Sequence, residues 1–412
     1  MTSDKPAESS SLLRNHGGGP APVSYLELFF DLVYVFALTQ ISHLIIATMS
    51  WHGLAEAVVA FAAVWWAWMY TTWAANWLDP ERLPVRIMLV LVMLASLLMA
   101  VALPQAFDGG GKLFAFTYVG IQIGRTLFLS WVMSRAEGES GLNMLRVAIW
   151  FAASSVLWIA GALLTDGAER LWWWLGALTI EYAGPFLFFY VPILGRSTVR
   201  EWTISGHHMA ERCALFVIIA LGEGIVVTGA TFASQDLTRD NTLAFLLAFA
   251  GSVMMWWIYF DVGAKRGADL IEHHHEPGRV ARNAYTYLHM PIVVGMVGVA
   301  VSDELLLAHP HGPAEEALIL FTCGGLAVYL ISLGFFKRLA NTYGRFPLSH
   351  LAGLLLLALL TTWAWLVPIG ALIFAALAVA VLVIVAAWEW GSFHGGWQER
   401  LERWSGRVGE KG

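Results

Sequence analysis

The sequence predicts an all-α polytopic membrane protein, and three observations support that class. Apolar residues make up 58% of the chain and charged residues only 13%, whereas soluble domains average about 45–50% and about 25%. Many apolar runs reach the roughly 18–20 residues that a helix needs to cross a bilayer. Lys and Arg are concentrated in alternate loops between these runs, which is typical of cytoplasmic loops.

Twelve apolar runs of spanning length follow one another along the chain, so about twelve transmembrane helices are predicted. Their predicted positions are residues 24–48, 54–77, 84–104, 112–134, 143–164, 171–194, 209–233, 241–261, 284–307, 315–336, 347–366 and 369–390. With a cytoplasmic N-terminus, all but four of the 24 Lys and Arg residues fall in inner segments. The exceptions are Lys112, Arg125, Arg170 and Arg239. Both termini are therefore predicted to be cytoplasmic.

The two sets of six helices are predicted to be parallel repeats. Residues 27–35 can be laid over residues 211–219, and the aromatic run 64–70 over 253–259. An even number of helices per unit makes such repeats parallel, and shared apolar composition is the alternative explanation. The predicted organisation is a disordered N-terminal tail at 1–22, six-helix halves at 23–200 and 201–392, and a polar C-terminal tail at 393–412.

Two carboxylates lie in the first apolar run. Glu27 and Asp31 are four residues apart, so a helix places them on one face. A charge at membrane depth costs about 2.5–3.5 kcal/mol on insertion scales, so such residues usually face a bundle interior or a wet cavity. Glu27 lies at the inner end, like Glu211 in the second half, and we expect a structural or capping role for it. Asp31 is deeper and is the better functional candidate.

Three further charges are predicted close to the membrane midplane, because Arg125, Glu181 and Glu223 lie far along their helices. An isolated ion at that depth is costly, so we expect Arg125 to pair with Glu181, Glu223 or both. One Arg cannot neutralise every carboxylate, so at least one should be protonated or reached by water or a cation. The alternative is an ion pair that fixes helix register. Gly222 and Gly224 flank Glu223 and would permit close backbone approach or local unwinding.

Other polar residues complete the candidate set. Gln40 and His43 lie toward the outer half of the first helix, where His43 is either a packing residue or a proton relay. Asp79 is expected to cap a helix that begins at Pro80. Arg82 and Arg86, in the same inner loop, could bind headgroup phosphates or neighbouring carboxylates. The inner-face candidates are Glu27, Asp79, Arg82, Arg86, Glu211, Arg212 and Asp261.

No catalytic motif is found: the sequence has no phosphate loop, nucleotide fingerprint, zinc-protease motif or nucleophile elbow. The histidine run 273–275 lacks metal-ligand spacing. We therefore predict no enzyme activity, no cofactor, no metal and no nucleic-acid partner. Membrane lipids are expected partners, together with protons, monovalent cations or a small solute, and a homo-oligomer is compatible with the sequence.

Motifs spread along residues 23–390 resemble the bacterial low temperature requirement A family. They are residues 26–40 with Ser42-His43-Leu44, 73–86, 124–128, 181–185, 201–204 with 208–213, 218–231, 257–261 and 284–289. Glu181 departs from the family pattern, where an Asp is common, and so do Gly206 and His207. The resemblance implies a multi-pass protein of the bacterial inner membrane, linked by the family name to growth in the cold. It carries no catalytic residues.

Three functions remain open from the sequence. The excess of buried negative charge favours a secondary transporter or ion pathway that uses protonatable carboxylates. The second is a membrane sensor or scaffold in cold adaptation, in which the buried charges serve only helix register. The third is an intramembrane enzyme acting on a lipid, with Glu27, Asp79, Glu211 and His208 as inner-side candidates. A fainter likeness, carried by Phe29 and Asp31, is to a family of potassium/proton channels built from six-helix repeats.

Overall fold

The computed structural model describes residues 11–14, 22–136, 138–197, 205–261, 282–340 and 345–393. Within these ranges the chain is helical and has no β-strand beyond isolated bridges. The first six helices are α1 Tyr25–Ala47, α2 Trp51–Trp77, α3 Leu83–Ala102, α4 Gly111–Ala136, α5 Gly138–Leu164 and α6 Gly167–Ala183.

The remaining helices follow the same pattern of long apolar segments. They are α7 Gly206–Ala233, α8 Arg239–Phe260, α9 His289–Ala308, α10 Glu316–Ala340, α11 Leu348–Leu366 and α12 Ala371–Phe393. A π-helical segment, Arg282–Tyr287, precedes α9, and another, Leu320–Gly324, lies inside α10. Eleven helices of the described chain are long and apolar enough to cross a membrane, which confirms the helical, multi-pass class.

The sixth helix differs from its prediction. α6 has 17 residues and ends at Ala183, so the expected spanning helix over 171–194 is wrong beyond that point. The cause is Pro185, which has no N–H to continue the helical ladder. Phe188, Phe189 and Ile193 then adopt left-handed backbone conformations, with φ of 52°, 46° and 74°. The count of membrane-length helices is therefore eleven plus this short one.

The segment after α6 packs against α5. Arg146 donates two hydrogen bonds to the carbonyl of Leu194, at 3.1 and 2.7 Å, and the Trp150 indole donates to Tyr190 O at 3.0 Å. Backbone carbonyls in an irregular segment lack the partners that a helix would supply, so other groups must satisfy them. Arg146 and Trp150 satisfy two of these carbonyls, those of Leu194 and Tyr190. The segment is therefore held in place by hydrogen bonds to α5.

The chain divides into two compact units. The first comprises Met1–Leu44 with Ser50–Met209, and the second comprises Ile45–Met49 with Ala210–Gly412. In the first unit, Trp65, Trp66 and Trp68 of α2 are fully buried. In the second, a Cβ on Gly295 of α9 would lie 2.7 Å from the carbonyl oxygen of Gly325 in α10, so glycine at these positions lets the two backbones touch. The repeat and the orientation of the termini stay predictions.

Part of the predicted N-terminal tail is ordered. Leu13 forms an isolated antiparallel bridge with Leu78. Arg14 N donates to Trp77 O at 2.8 Å, and Asp79 N donates to Leu12 O at 2.9 Å. Disorder is therefore the wrong prediction for residues 11–14, because the backbone after α2 offers them hydrogen-bond partners. The rest of the predicted tails, 1–10, 15–21 and 394–412, lies outside the described residues.

Candidate functional site: a polar network inside the first unit

One face of α4 is polar and buried. Tyr118, Gln122 and Arg125 are spaced four and three residues apart, which aligns them along one side of the helix. Their exposed fractions are 0%, 1% and 2%. This face meets groups from α2, α5 and α6, and together they form a hydrogen-bonded set that we call the α4 network. Its members are Thr71, Tyr118, Gln122, Arg125, Ser154, Trp158 and Glu181.

Glu181 is the negative end of the α4 network. Its Oε2 accepts a hydrogen bond from the Tyr118 hydroxyl, while its Oε1 accepts from Ser154 Oγ at 2.7 Å and Trp158 Nε1 at 2.9 Å. The residue lies in the last turn of α6, where the partial negative charge of a helix C-terminus disfavours a carboxylate. The three donors offset that cost and the loss of water.

Arg125 is the positive end of the network. One guanidinium nitrogen donates to Thr71 Oγ1 at 3.0 Å and Ala67 O at 3.2 Å, and the other donates to Gln122 Oε1 at 2.5 Å. The guanidinium carbon lies 5.5 Å from the centre of the Tyr70 ring, within the range of a cation–π contact. All of these partners are formally neutral.

The two charged ends are joined through neutral side chains. Gln122 Nε2 donates to the Tyr118 hydroxyl at 3.0 Å, so the order is Arg125, Gln122, Tyr118, Glu181. Arg125 and Glu181 form no direct ion pair among the described residues, and the predicted pairing of these two is wrong. The reason is that Gln122 and Tyr118, on the same face of α4, occupy the space between them.

A small cavity lies beside Arg125. Its volume is about 10 Å³, and its lining includes Tyr70, Trp73 and Thr126. This is close to the smallest space that holds one water molecule. Arg125 is the member of the network that lines this cavity.

Asp31 is buried in the same unit. Its Oδ1 accepts a hydrogen bond from Trp68 Nε1 at 2.8 Å, which attaches α1 to α2. Tyr34, one turn further along, shares a 3.1 Å hydrogen bond with Ser96 of α3. Gln40 is half-buried and His43 is exposed, and neither hydrogen-bonds to the α4 network.

Glu27 caps the first helix. Ser24 N donates to Glu27 Oε2 at 2.8 Å, and Glu27 N donates to Ser24 Oγ at 3.3 Å. This reciprocal pair is a capping box. Arg14 also lies 3.3 Å from Glu27 Oε2. Glu211 is the sixth residue of α7, so it does not occupy the corresponding position at the start of its helix.

A buried histidine, His208, joins the capping box. Its Nε2 lies 2.7 Å from Glu27 Oε1, and its Nδ1 lies 3.2 Å from Asn76 Nδ2. An amide nitrogen can only donate, so Nδ1 is the acceptor and Nε2–H donates to Glu27. Asn76 Oδ1 in turn accepts from Ser205 N at 3.0 Å. Asn76 was missed in the sequence, because it lies 132 residues from His208.

The loop after α2 differs from its prediction. α3 begins at Leu83, and no side chain caps it, so Asp79 does not cap a helix beginning at Pro80. Asp79 instead accepts a hydrogen bond from Glu81 N at 3.0 Å and lies 3.3 Å from Arg82 Nε. Arg86 pairs with Glu81 at 3.0 Å. The sequence Leu83-Pro84 places proline in the first turn, where its missing N–H is harmless.

The other candidates belong to the second unit. Glu223 and Arg212 are buried in α7, Glu211 is half-buried there, and Asp261 is exposed directly after α8. α7 runs unbroken through Glu223, so of the two possibilities that the flanking glycines offered, close backbone approach or local unwinding, the helix is not unwound there. Among the described residues no group of His, Cys, Asp and Glu side chains is arranged to hold a metal. The histidine run 273–275 lies outside them.

These features define a multi-pass helical membrane protein with a polar network buried in its first unit. The family model described as bacterial low temperature requirement A protein matches residues 22–387, and the chain belongs to that family. It is 39% identical to an uncharacterised protein of Rhizobium meliloti (strain 1021) over 379 residues, covering 92% of this chain and 91% of the relative. No solved structure matches the chain.

Proposed function

We propose that the protein is a proton-coupled transporter or proton pathway of the bacterial inner membrane, with Glu181 as a proton-binding group. One observation carries the proposal: a buried carboxylate and a buried guanidinium are joined by neutral hydrogen-bonding groups without forming an ion pair. A direct ion pair would hold both charges in place. Because the Arg125 guanidinium does not contact the Glu181 carboxylate, the carboxylate is able to exchange a proton.

The immediate surroundings of Glu181 favour a proton over a metal cation. Its oxygens face O–H and N–H donors from Tyr118, Ser154 and Trp158, whereas a cation such as Na⁺ requires further oxygen ligands that point their lone pairs at it. Trp158 can only donate, but the two hydroxyls can reverse their roles.

The Ser154 hydroxyl can form two alternative hydrogen-bond arrangements. Its hydroxyl lies 2.7 Å from Glu181 Oε1 and 3.0 Å from Phe151 O. When Glu181 is ionised, Ser154 donates to the carboxylate. When Glu181 is protonated, the serine hydroxyl can donate to Phe151 O and accept a hydrogen bond from the carboxyl O–H of Glu181. The site can therefore bind and release a proton without leaving a polar group unpaired, which supports a relay role.

Proton flux into liposomes tests the proposal. The full-length protein is reconstituted with a pH-sensitive dye inside, and a membrane potential is imposed in the presence of sodium and potassium salts. We expect a flux that falls by roughly tenfold or more in Glu181→Gln, because the amide cannot carry the proton.

Glu169→Gln is the matched control for this experiment. Glu169 lies on the same helix but is exposed, so its replacement should leave the flux unchanged. Absence of flux in the parent protein, or an equal flux in the parent and in Glu181→Gln, would contradict the proposal.

A membrane sensor or scaffold is the second candidate. It is favoured because both charged members of the α4 network already have hydrogen-bond partners on neighbouring helices. Arg125 finds partners on α2 and α4, and Glu181 on α4 and α5, so the set also fixes helix register. The double variant Arg125→Met/Glu181→Gln separates the two functions. A scaffold would retain support of growth at low temperature in this variant, whereas a proton pathway would lose both flux and growth support.

We also propose that α6 and the irregular segment after it cross the membrane together, so that both termini are cytoplasmic. The charge asymmetry of the loops supports this orientation. Reporter fusions at the C-terminus test it: a fluorescent protein should be active there and alkaline phosphatase inactive. The opposite pattern would mean that the chain crosses the membrane an odd number of times.

A further inference from the structure

A cavity in the second unit contains one carboxylate and lies between α8, α9, α10 and α12. Its volume is about 30 Å³, which gives room for about two water molecules. Among the described residues that line it, three have polar side chains, and in all three the polar atom is oxygen. They are Ser302 and Asp303 of α9 and Thr322 of α10. The other lining residues are glycine or aliphatic.

The Asp303 carboxylate meets no positive charge in this cavity. The described lining residues include no Lys, Arg or His and no side chain with an N–H group. Glu389 of the same unit differs: Lys337 Nζ lies 2.6 Å from its Oε2, and the two residues are only 4% and 7% exposed. An isolated charge at membrane depth is costly, so such pairing is the usual arrangement. A bound cation would give Asp303 the counter-charge that the cavity side chains do not supply.

The Ser302 hydroxyl is suited to bind a cation. It lies 2.8 Å from Val299 O and donates its proton to that carbonyl. Its lone pairs remain for a second partner. A cation binds through lone pairs, whereas an anion would need the proton that Val299 O already accepts. The hydroxyl therefore favours a positive ligand over a negative one.

The Thr322 hydroxyl comes from a distorted part of α10. Thr322 lies in the π-helical segment Leu320–Gly324, and single π-helical turns inside α-helices are frequent at functional sites. This segment packs closely against α9, because a Cβ on Gly298 would lie 3.8 Å from Phe321 O. Gly298 precedes Ser302 by about one helical turn. The polar parts of the two helices therefore lie beside each other.

We propose that this cavity binds one monovalent metal cation of the size of Na⁺, with Asp303 as the charged ligand and Ser302 and Thr322 as neutral oxygen ligands. One carboxylate balances one positive charge, whereas a divalent ion would keep an excess charge and is usually bound by more protein oxygens. A proton would also neutralise Asp303, but a proton needs no cavity. The space beside these oxygens lets the ion keep a water molecule as a further ligand.

The position of Asp303 along α9 suits an ion that enters from water. α9 ends at Ala308, which is five residues later and roughly 8 Å further along the helix axis. The cost of a charge is greatest at the centre of a spanning helix. All of the proposed ligands belong to the second unit, so the proposal does not depend on proton movement through the first.

Binding of radioactive Na⁺ tests the proposal. The purified full-length protein is kept in mild detergent and a choline buffer, and bound Na⁺ is measured against its free concentration. We expect saturable binding of one ion per chain that unlabelled Na⁺ displaces and choline does not. Absence of saturable binding would overturn the proposal, and so would displacement by Ca²⁺ at a lower concentration than by Na⁺.

The charge variant locates the bound ion. Asp303→Asn should weaken Na⁺ binding by roughly tenfold or more, because the amide keeps the shape of the side chain but loses its charge. Glu304→Gln is the matched control, since Glu304 is the next residue of α9 but is not among the residues that line the cavity. It should change the affinity much less. An equal loss in the two variants would show that the ion is not held in the cavity.

Thr322→Val tests the neutral ligand. Valine has nearly the shape of threonine but no hydroxyl oxygen, so it removes a ligand from the cavity without opening or filling it. We expect Na⁺ binding to weaken several-fold in this variant, with little change in the affinity for Na⁺ when the exposed Thr362 of α11 is replaced in the same way.

Gly251→Ala keeps the proposal testable if Asp303→Asn misfolds. Gly251 lines the cavity from α8, and a Cβ there would lie 3.9 Å from Val379 Cγ2, which is an ordinary contact. Alanine should therefore fit and stabilise the helix, while it takes up part of the space for the ion. We expect an unfolding temperature that is unchanged or higher, together with weaker Na⁺ binding. Unchanged Na⁺ affinity in both Gly251→Ala and Thr322→Val would overturn the proposal.

Discussion

The two units bury opposite charges in different ways. In the first, Arg125 and Glu181 are separated by Gln122 and Tyr118, whereas in the second Lys337 and Glu389 are in direct contact. In a direct ion pair each ion stabilises the other, and removal of one leaves the other buried without a counter-ion. A pair separated by neutral donors and acceptors can change charge at one end while the other keeps its partners. Buried charge alone therefore does not mark a functional site; the partners of each charge do.

The largest effect is expected at the direct ion pair. Lys337→Met should lower the free energy of unfolding by about 3–5 kcal/mol, because it leaves Glu389 buried without its cation. Denaturant unfolding in mild detergent measures this. Lys337→Met/Glu389→Gln should recover most of the loss. A single variant as stable as the parent would mean that the pair is not buried in solution.

Arg125→Met should cost less, about 1–3 kcal/mol. It leaves Gln122 and Thr71 without a donor, but no opposite charge loses a direct partner. A double-mutant cycle with Glu181→Gln sharpens the comparison, because its coupling energy should be much smaller than that between Lys337 and Glu389. Equal coupling energies would mean that the two pairs of charges interact equally strongly, which would contradict the contrast between a separated pair and a direct pair.

Tyr118→Phe removes the hydroxyl that joins Gln122 to Glu181. We expect a stability loss of about 1–2 kcal/mol and loss of the proposed proton flux. Tyr190→Phe serves as a comparison, since Tyr190 is an exposed tyrosine of the same unit. Flux that survives in Tyr118→Phe would show that protons reach Glu181 by another route.

The smallest effect is expected at the first helix of each predicted repeat. Ser24→Ala breaks the reciprocal capping box of α1 and should cost about 1 kcal/mol. The Ser205 hydroxyl accepts a longer hydrogen bond from His208 N, at 3.4 Å, so Ser205→Ala should cost only roughly a few tenths of 1 kcal/mol. Thermal unfolding of the two variants side by side measures the difference. An equal loss would indicate that Glu27 adds nothing to the cap.

Most helix positions could be predicted from the sequence, because apolar length is a local property. The start of α2 at Trp51 and the end of α12 at Phe393 lie within a few residues of their predicted places. α6 was the exception. Proline is tolerated inside transmembrane helices, so the presence of Pro185 did not by itself predict that α6 would end at Ala183.

The polar network was predictable in part. The spacing of Tyr118, Gln122 and Arg125 marks one face of a helix, and this signal could have been found in the sequence. Ser154 and Trp158 carried no comparable signal, since polar and aromatic residues are common in such helices. The burial of Lys337 was missed because loop cations are usually solvated.

The sequence by itself determined the class of protein, its family and the order of its helices, because these depend on composition, run length and motifs along the chain. Only the tertiary structure decided which charge meets which partner. Glu27 and His208 are separated by 181 residues, Arg125 and Thr71 by 54, and Lys337 and Glu389 by 52. Helix packing sets such contacts, and the depth of a residue in the membrane does not specify which neighbouring helix it faces.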